Sequence, residues 1–232
     1  MSGSVLYLSV NPFETRVAML ENSRLVTYRA ERHRASSVVG NLYKGRVNRV
    51  LPGMQAAFVD IGLARNAFLY VREAGGILDD FTDIFLAEGG EVLQPDLSNS
   101  DISDFLRQGQ EILVQVVKDP IGTKGARLTT HVSLPGRFLV YLPNVHHHGV
   151  SRRITDDKER ARLREIVENF DAPGGWIVRT AGEDQGPAEL DADRKYLLLM
   201  WDRIQGIANQ ARAPSLVHRE LSTVLRVIRD LF

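Results

Sequence analysis

Cysteine is absent from all 232 residues, which excludes a disulfide framework and any thiolate metal site. No apolar run approaches the roughly 18 residues needed to cross a bilayer. The N-terminus, MSGSVLYLSVNPFETR, lacks a basic start followed by a long apolar stretch, so a secretory signal is not expected. Net charge is also missing, with 29 basic residues against 29 acidic ones. What is present is ordinary for a globular protein: 44% hydrophobic and 25% charged residues. The length allows two or three small domains around real hydrophobic cores. The expectation is a cytoplasmic protein with no membrane association.

The zero net charge conceals a segregation. Residues 1–72 hold ten Lys/Arg and four Asp/Glu, a net of +6, while residues 73–105 hold nine acidic residues and no basic one, a net of −9. A local basic surface attracts polyanions whatever the whole chain carries. The acidic stretch reads most simply as a solvated loop, long and only partly ordered.

The hydrophobic pattern is rich in short strands. SVLYLSV, TRVAML and RLVTYRAE, within residues 4–31, form a meander with turns at Asn11, Pro12 and Asn22. A second β-rich unit starts at Gly40, with strands at 42–50, 56–62, 66–71, 111–117 and 126–132. Five short strands with close turns predict a small barrel. A strand at 136–144 is followed by a helix over 155–170, with Thr155 as N-cap and Asp156 and Asp157 at the positive helix start. A further strand spans 175–182, and a long helix runs over 187–211 with Pro187 in its first turn. After Ser222, Val224, Leu225, Ile228, Leu231 and Phe232 recur at helical spacing. A helix ending on that apolar residue is expected to belong to a truncated chain.

Several side chains are candidates for chemistry. Phe58 and Phe68 lie on neighbouring barrel strands, with Lys44 and Arg46 on a third. Exposed aromatics that stack bases, beside a basic groove that follows phosphates, are the means by which such barrels bind single strands. The competing reading makes both phenylalanines barrel core. Arg179 and Thr180, at a strand end before Ala-Gly, can grip a phosphate through a guanidinium, a hydroxyl and backbone N–H groups; a strand-end arginine is also a common salt-bridge residue. Asp60 is a lone strand carboxylate. His146, His147 and His148 are adjacent in one loop and cannot all face one ion, so no metal is expected there.

The blocks VGNLYKGRVNRVLPGMQAAFVDIGLARNAFLYV (39–71), KGARLTTHVSLPGRFLVYLPN (124–144), GVSRRI (149–154) and WIVRTAG (176–182) resemble the ribonuclease E/G family in order and spacing, more closely its ribonuclease G branch. The resemblance implies an α+β fold: an S1-type OB-fold β-barrel inserted in a partial ribonuclease H-like subdomain, followed by an α/β 5′-sensor subdomain. The implied divisions are 1–37 and 214–232 for the ribonuclease H-like segments, 38–132 for the barrel with its acidic insertion 73–105, and 133–213 for the sensor. It matches Phe58 and Phe68 to base-stacking positions and Lys124 to a phosphate contact. It also matches Arg179, Thr180, the backbone of Gly136 and Val140 to a pocket for an RNA 5′-monophosphate. Arg152 and Arg153 would contact the RNA backbone or brace that pocket.

The resemblance also implies what lies elsewhere. Cleavage belongs to a later DNase I-like domain whose two aspartates hold Mg²⁺, and a cysteine pair beyond it shares zinc between subunits. No catalytic residue and no cofactor are therefore expected in this chain, which would be inactive alone. Its expected partner is single-stranded RNA with a 5′-monophosphate, not DNA; the full-length protein would be a homo-oligomer. Two other functions fit the residues: a stand-alone RNA-binding protein, and a protein–protein module docking through the acidic loop.

Overall fold

A computed structural model describes residues 4–33, 37–75 and 101–231. In chain order its elements are β1 (Ser4–Val10), β2 (Glu14–Glu21), β3 (Arg24–Arg32), β4 (Leu42–Leu51), β5 (Ala56–Asp60), β6 (Ala67–Tyr70), α1 (Val71–Gly75), α2 (Ile102–Phe105), β7 (Glu111–Lys118), β8 (Arg127–Thr129), β9 (Leu134–Pro135), β10 (Leu139–Leu142), β11 (His148–Val150), α3 (Asp157–Glu168), β12 (Gly175–Val178), α4 (Pro187–Gln210), β13 (Ser215–His218) and α5 (Thr223–Leu231). Most of the acidic stretch, residues 76–100, lies outside the described residues, as does Phe232. Among the described residues, no helix is long and apolar enough to cross a membrane.

The chain forms two compact units, Met1–Val38 with Glu220–Phe232, and Val39–Arg219. In the first, β1, β2 and β3 make an antiparallel meander. Its turns follow the sequence signals. The Asn11 side chain accepts from the Phe13 and Glu14 amides at 2.9 and 3.0 Å, and Asn22 and Ser23 both take positive φ, as a tight hairpin requires. Alternation along β2 buries Thr15, Val17 and Met19, and α5 packs against that strand with Val227 buried. The Thr223 hydroxyl donates to the Glu31 carboxylate.

The second unit opens with the barrel. Strand order is β4-β5-β6-β8-β7, and β7 returns to pair with β4, closing a five-stranded cylinder with one parallel pair, β6–β8. Closure removes exposed sheet edges. Inward positions carry Val47, Ala57, Val59, Ala67, Leu69, Val114, Val116 and Leu128, all buried, as the two-residue period demands. The five strands fall where the pattern put them, and α1 and α2 are placed between the third and fourth.

β13 was not legible in the sequence; it pairs antiparallel with β4 and adds a sixth strand to the barrel sheet. Beyond the barrel, β11-β12-β10-β9 form a four-stranded sheet covered by α3 and α4. One core joins Leu42 of β4 and Val217 of β13 to Tyr141, Trp176, Leu163, Leu197 and Trp201. Tyr141 stacks on Trp176, ring centroids 4.4 Å apart.

Three local expectations need correction. The helix predicted at 155–170 covers Asp157–Glu168, and its N-cap is Asp156, not Thr155: the Asp156 carboxylate accepts from the Lys158 amide at 2.9 Å. The strand predicted at 136–144 contracts to Leu139–Leu142, because Gly136 to Leu139 form a tight turn with Gly136 N–H donating to the Leu139 carbonyl at 2.8 Å. The strand predicted at 175–182 stops at Val178, and Thr180–Gly182 wind into a 3-10 turn.

Candidate nucleic-acid interface

Phe58 and Phe68 face outward from the barrel, directly paired across β5 and β6, with ring centroids 4.7 Å apart. Both are half-buried rather than core, since the inward positions beside them are filled by Val59, Ala67 and Leu69. They therefore form an aromatic surface on the second and third barrel strands, the face by which OB folds hold oligonucleotides.

Lys124 is exposed in the loop before β8. That loop is pressed against the start of β6: a Cβ at Gly125 would fall 1.9 Å from the Asn66 carbonyl oxygen, so only glycine fits. The Phe68 amide donates to the Ala126 carbonyl at 2.7 Å. Lys124 immediately precedes this close approach. Arg65 is anchored alongside through a bond to the Gly122 carbonyl.

Lys44 and Arg46 are otherwise engaged. Both pair with Glu111 on β7, at 3.2 and 3.0 Å, and Lys44 also donates to the Ala211 carbonyl at 2.9 Å. The Arg46 bond, followed by the Lys44 bond, holds the Glu111 carboxyl below its ordinary range. Arg49, which the sequence reading passed over, is the β4 residue paired with Phe58. Asp60 caps its own turn by accepting from the Gly62 amide at 2.9 Å.

The second cluster lies where β12 ends. Arg179 Nη1 donates to the Gly136 carbonyl at 2.5 Å, and the Arg179 amide donates to the Phe138 carbonyl at 2.8 Å. Thr180 is exposed, and its hydroxyl lies 3.0 Å from that of Ser151. Val140, on β10, is buried and paired with Ile177. The structure thus joins Arg179 to Gly136, with Thr180 next in the chain and Val140 on the neighbouring strand. The Gly136 amide expected to hold a phosphate is here bonded to Leu139.

Asp193 on α4 was missed, and it organises this corner. Its carboxylate accepts from the Phe138 and Leu139 amides at 2.8 and 2.9 Å, and from Arg137 at 3.3 Å. A Cβ on Gly136 would meet Asp193 Oδ2 at 2.4 Å, which explains the glycine. Arg160 on α3 plays a similar part, donating to the carbonyls of Ser151 at 2.5 Å and Ile154 at 3.0 Å. Arg152 and Arg153 are exposed on the loop so held.

Among the described residues, no group of three or more His, Cys, Asp or Glu side chains is placed to hold a metal ion. Burial lowers the pKa of His131, of His147 in the loop before β11, and of His148 at the start of β11.

Residues 133–232 match the model of the ribonuclease E/G family. Ribonuclease G of Escherichia coli strain K12 is 45% identical over 226 residues, covering 97% of this chain and 45% of that protein. Ribonuclease G of Haemophilus influenzae is 43% identical over 231 residues, with 99% and 45% covered. By sequence, the chain belongs to the ribonuclease E/G family.

Within that family its likeness is to ribonuclease G before ribonuclease E: ribonuclease E of Escherichia coli strain K12 is 37% identical over 220 residues, 94% of this chain and 20% of that protein. The chain spans about half the length of the ribonuclease G relatives it matches.

Proposed function

We propose that this chain is the RNA-binding and 5′-end-sensing region of a single-strand-specific endoribonuclease of RNA processing and decay. The observation that carries it is the Arg179–Gly136 contact beside the Thr180–Ser151 hydroxyl pair. Family membership supports the enzyme class; cleavage and its Mg²⁺ are assigned to parts of the protein outside this chain. In this reading the barrel and the sheet beyond it are the S1-type and 5′-sensor modules, and β1–β3 with α5 belong to a ribonuclease H-like scaffold.

The chemistry divides between two places. On the barrel, bases stack on Phe58 and Phe68, while Lys124 meets a phosphate. Stacking on an aromatic ring tolerates any base, because every base has a π-face, so the surface holds single strands without demanding a sequence. At the corner, the bond to Gly136 fixes the plane of the Arg179 guanidinium. The Ser151 hydroxyl orients that of Thr180. A 5′-monophosphate seated there gains charge-assisted bonds that a 5′-hydroxyl cannot make.

Fluorescence anisotropy with labelled RNA tests the reading. The chain is expected to bind a single strand with a 5′-monophosphate more tightly than the matching duplex, and more weakly as salt rises. Equal affinity for duplex and single strand would remove the stacking account.

A further inference from the structure

We propose that the barrel surface continues beyond Phe58 and Phe68 into a further nucleotide subsite, formed by Tyr70, Arg127, Met54 and Gln55, that takes one more base of the same single strand. This rests on the RNA-binding reading of the barrel. Tyr70 lies two positions after Phe68 on β6, so both project from the same face, roughly 7 Å apart along the strand. Across the ladder, Tyr70 faces Ala56, whose small side chain leaves the phenol ring uncovered. Tyr70 is 41% exposed.

The surroundings of that ring are suited to a base. The Arg127 guanidinium sits 5.5 Å from the Tyr70 centroid, and Arg127 is the β8 residue in register with Phe68. Its Nη2 is held 2.8 Å from the Glu73 carboxylate, whose side chain is only 2% exposed. The guanidinium is therefore a fixed plane, and such planes stack on unpaired bases as aromatic rings do. Met54, 60% exposed, projects from the turn between β4 and β5. Together with Gln55, Val71 and Arg72 these side chains line an open pocket of about 370 Å³. The β4–β5 turn is the first of the two loops that flank the ligand face in OB folds, and Lys124 occupies the second. The strand would therefore run from Lys124 across the phenylalanines to Tyr70.

The test uses single-stranded oligouridylates of increasing length and compares the unmutated chain with Tyr70→Ala, Tyr70→Phe and Met54→Glu. Stacking one base sets the expected loss at about tenfold for Tyr70→Ala. The loss should appear only once the oligonucleotide is long enough to reach past Phe68, and Tyr70→Phe should restore affinity. Met54→Glu, on an exposed turn that keeps its fold, should weaken the same long oligonucleotides by repelling the backbone. If Phe68→Ala weakens binding while Tyr70→Ala and Met54→Glu match the unmutated chain at every length, the subsite does not exist and the RNA-binding reading stands. If the unmutated chain binds no oligouridylate, both readings fall.

Discussion

On the barrel, recognition is left to side chains standing off a closed cylinder: Phe58 and Phe68 touch each other and otherwise face outward. At the Arg179 corner, helix, loop and strand are already tied together. Asp193 holds three successive amides, Gly136 receives the guanidinium, and Ser151 meets Thr180. In the proposed reading the first surface would tolerate many bases, because nothing in it selects a geometry beyond a stacked plane. In that reading the second would discriminate, because its donors are fixed before a phosphate arrives, which lowers the ordering cost of binding. A base-binding face can be soft, whereas a site that counts charges on one phosphate needs rigid support.

The largest effect should come from cutting that support. Asp193→Ala leaves two or three amides without an acceptor, each worth about 1–3 kcal/mol when buried. The urea midpoint is expected to fall clearly, and preference for a 5′-monophosphate should weaken with it. Asp193→Asn keeps one acceptor oxygen and should lie between. Unchanged stability in both variants would show that the corner is not braced from α4.

Phe68→Ala should come next, weakening single-strand affinity about tenfold through lost stacking, with thermal stability nearly kept because the ring is not core. A large loss of stability with affinity preserved would turn the aromatic face into packing. Lys124→Ala should be milder, reducing the slope of log affinity against log salt by roughly one contact's worth.

Acid should act through buried imidazoles. His131, His147 and His148 have pKa values below the ordinary 6.5, with burial the leading cause in each. A depressed histidine contributes stability that is complete above pH 6.5 and is lost as pH falls below it. The urea midpoint should therefore decline between pH 7 and 5, and His131→Gln should flatten that decline.

The sequence revealed those parts of the fold whose signals are local. Barrel strands showed as short β-rich runs separated by close turns, and Phe58 and Phe68 showed as strand aromatics. Asp193 stayed hidden because its partners lie 54–56 residues away and its own helix gives no sign of them. β13 is only four residues long and pairs with a strand far back in the chain, so no periodicity could mark it. Tyr70 carried a usable signal, two positions beyond Phe68, but it sits where the strand passes into α1. The engagement of Lys44 and Arg46 with Glu111 was equally nonlocal, and composition counted them as basic surface without showing what they meet.

The division of labour is tested most directly by one ratio: affinity for a 5′-monophosphorylated single strand over affinity for the same strand with a 5′-hydroxyl. Even one net charge-assisted bond, at about 1.5–3 kcal/mol, predicts a ratio of about ten or more in the unmutated chain. Phe68→Ala should lower both affinities and leave the ratio intact, whereas Arg179→Ala should bring the ratio close to one. A ratio of one in the unmutated chain, or its collapse in Phe68→Ala as fully as in Arg179→Ala, would contradict the account.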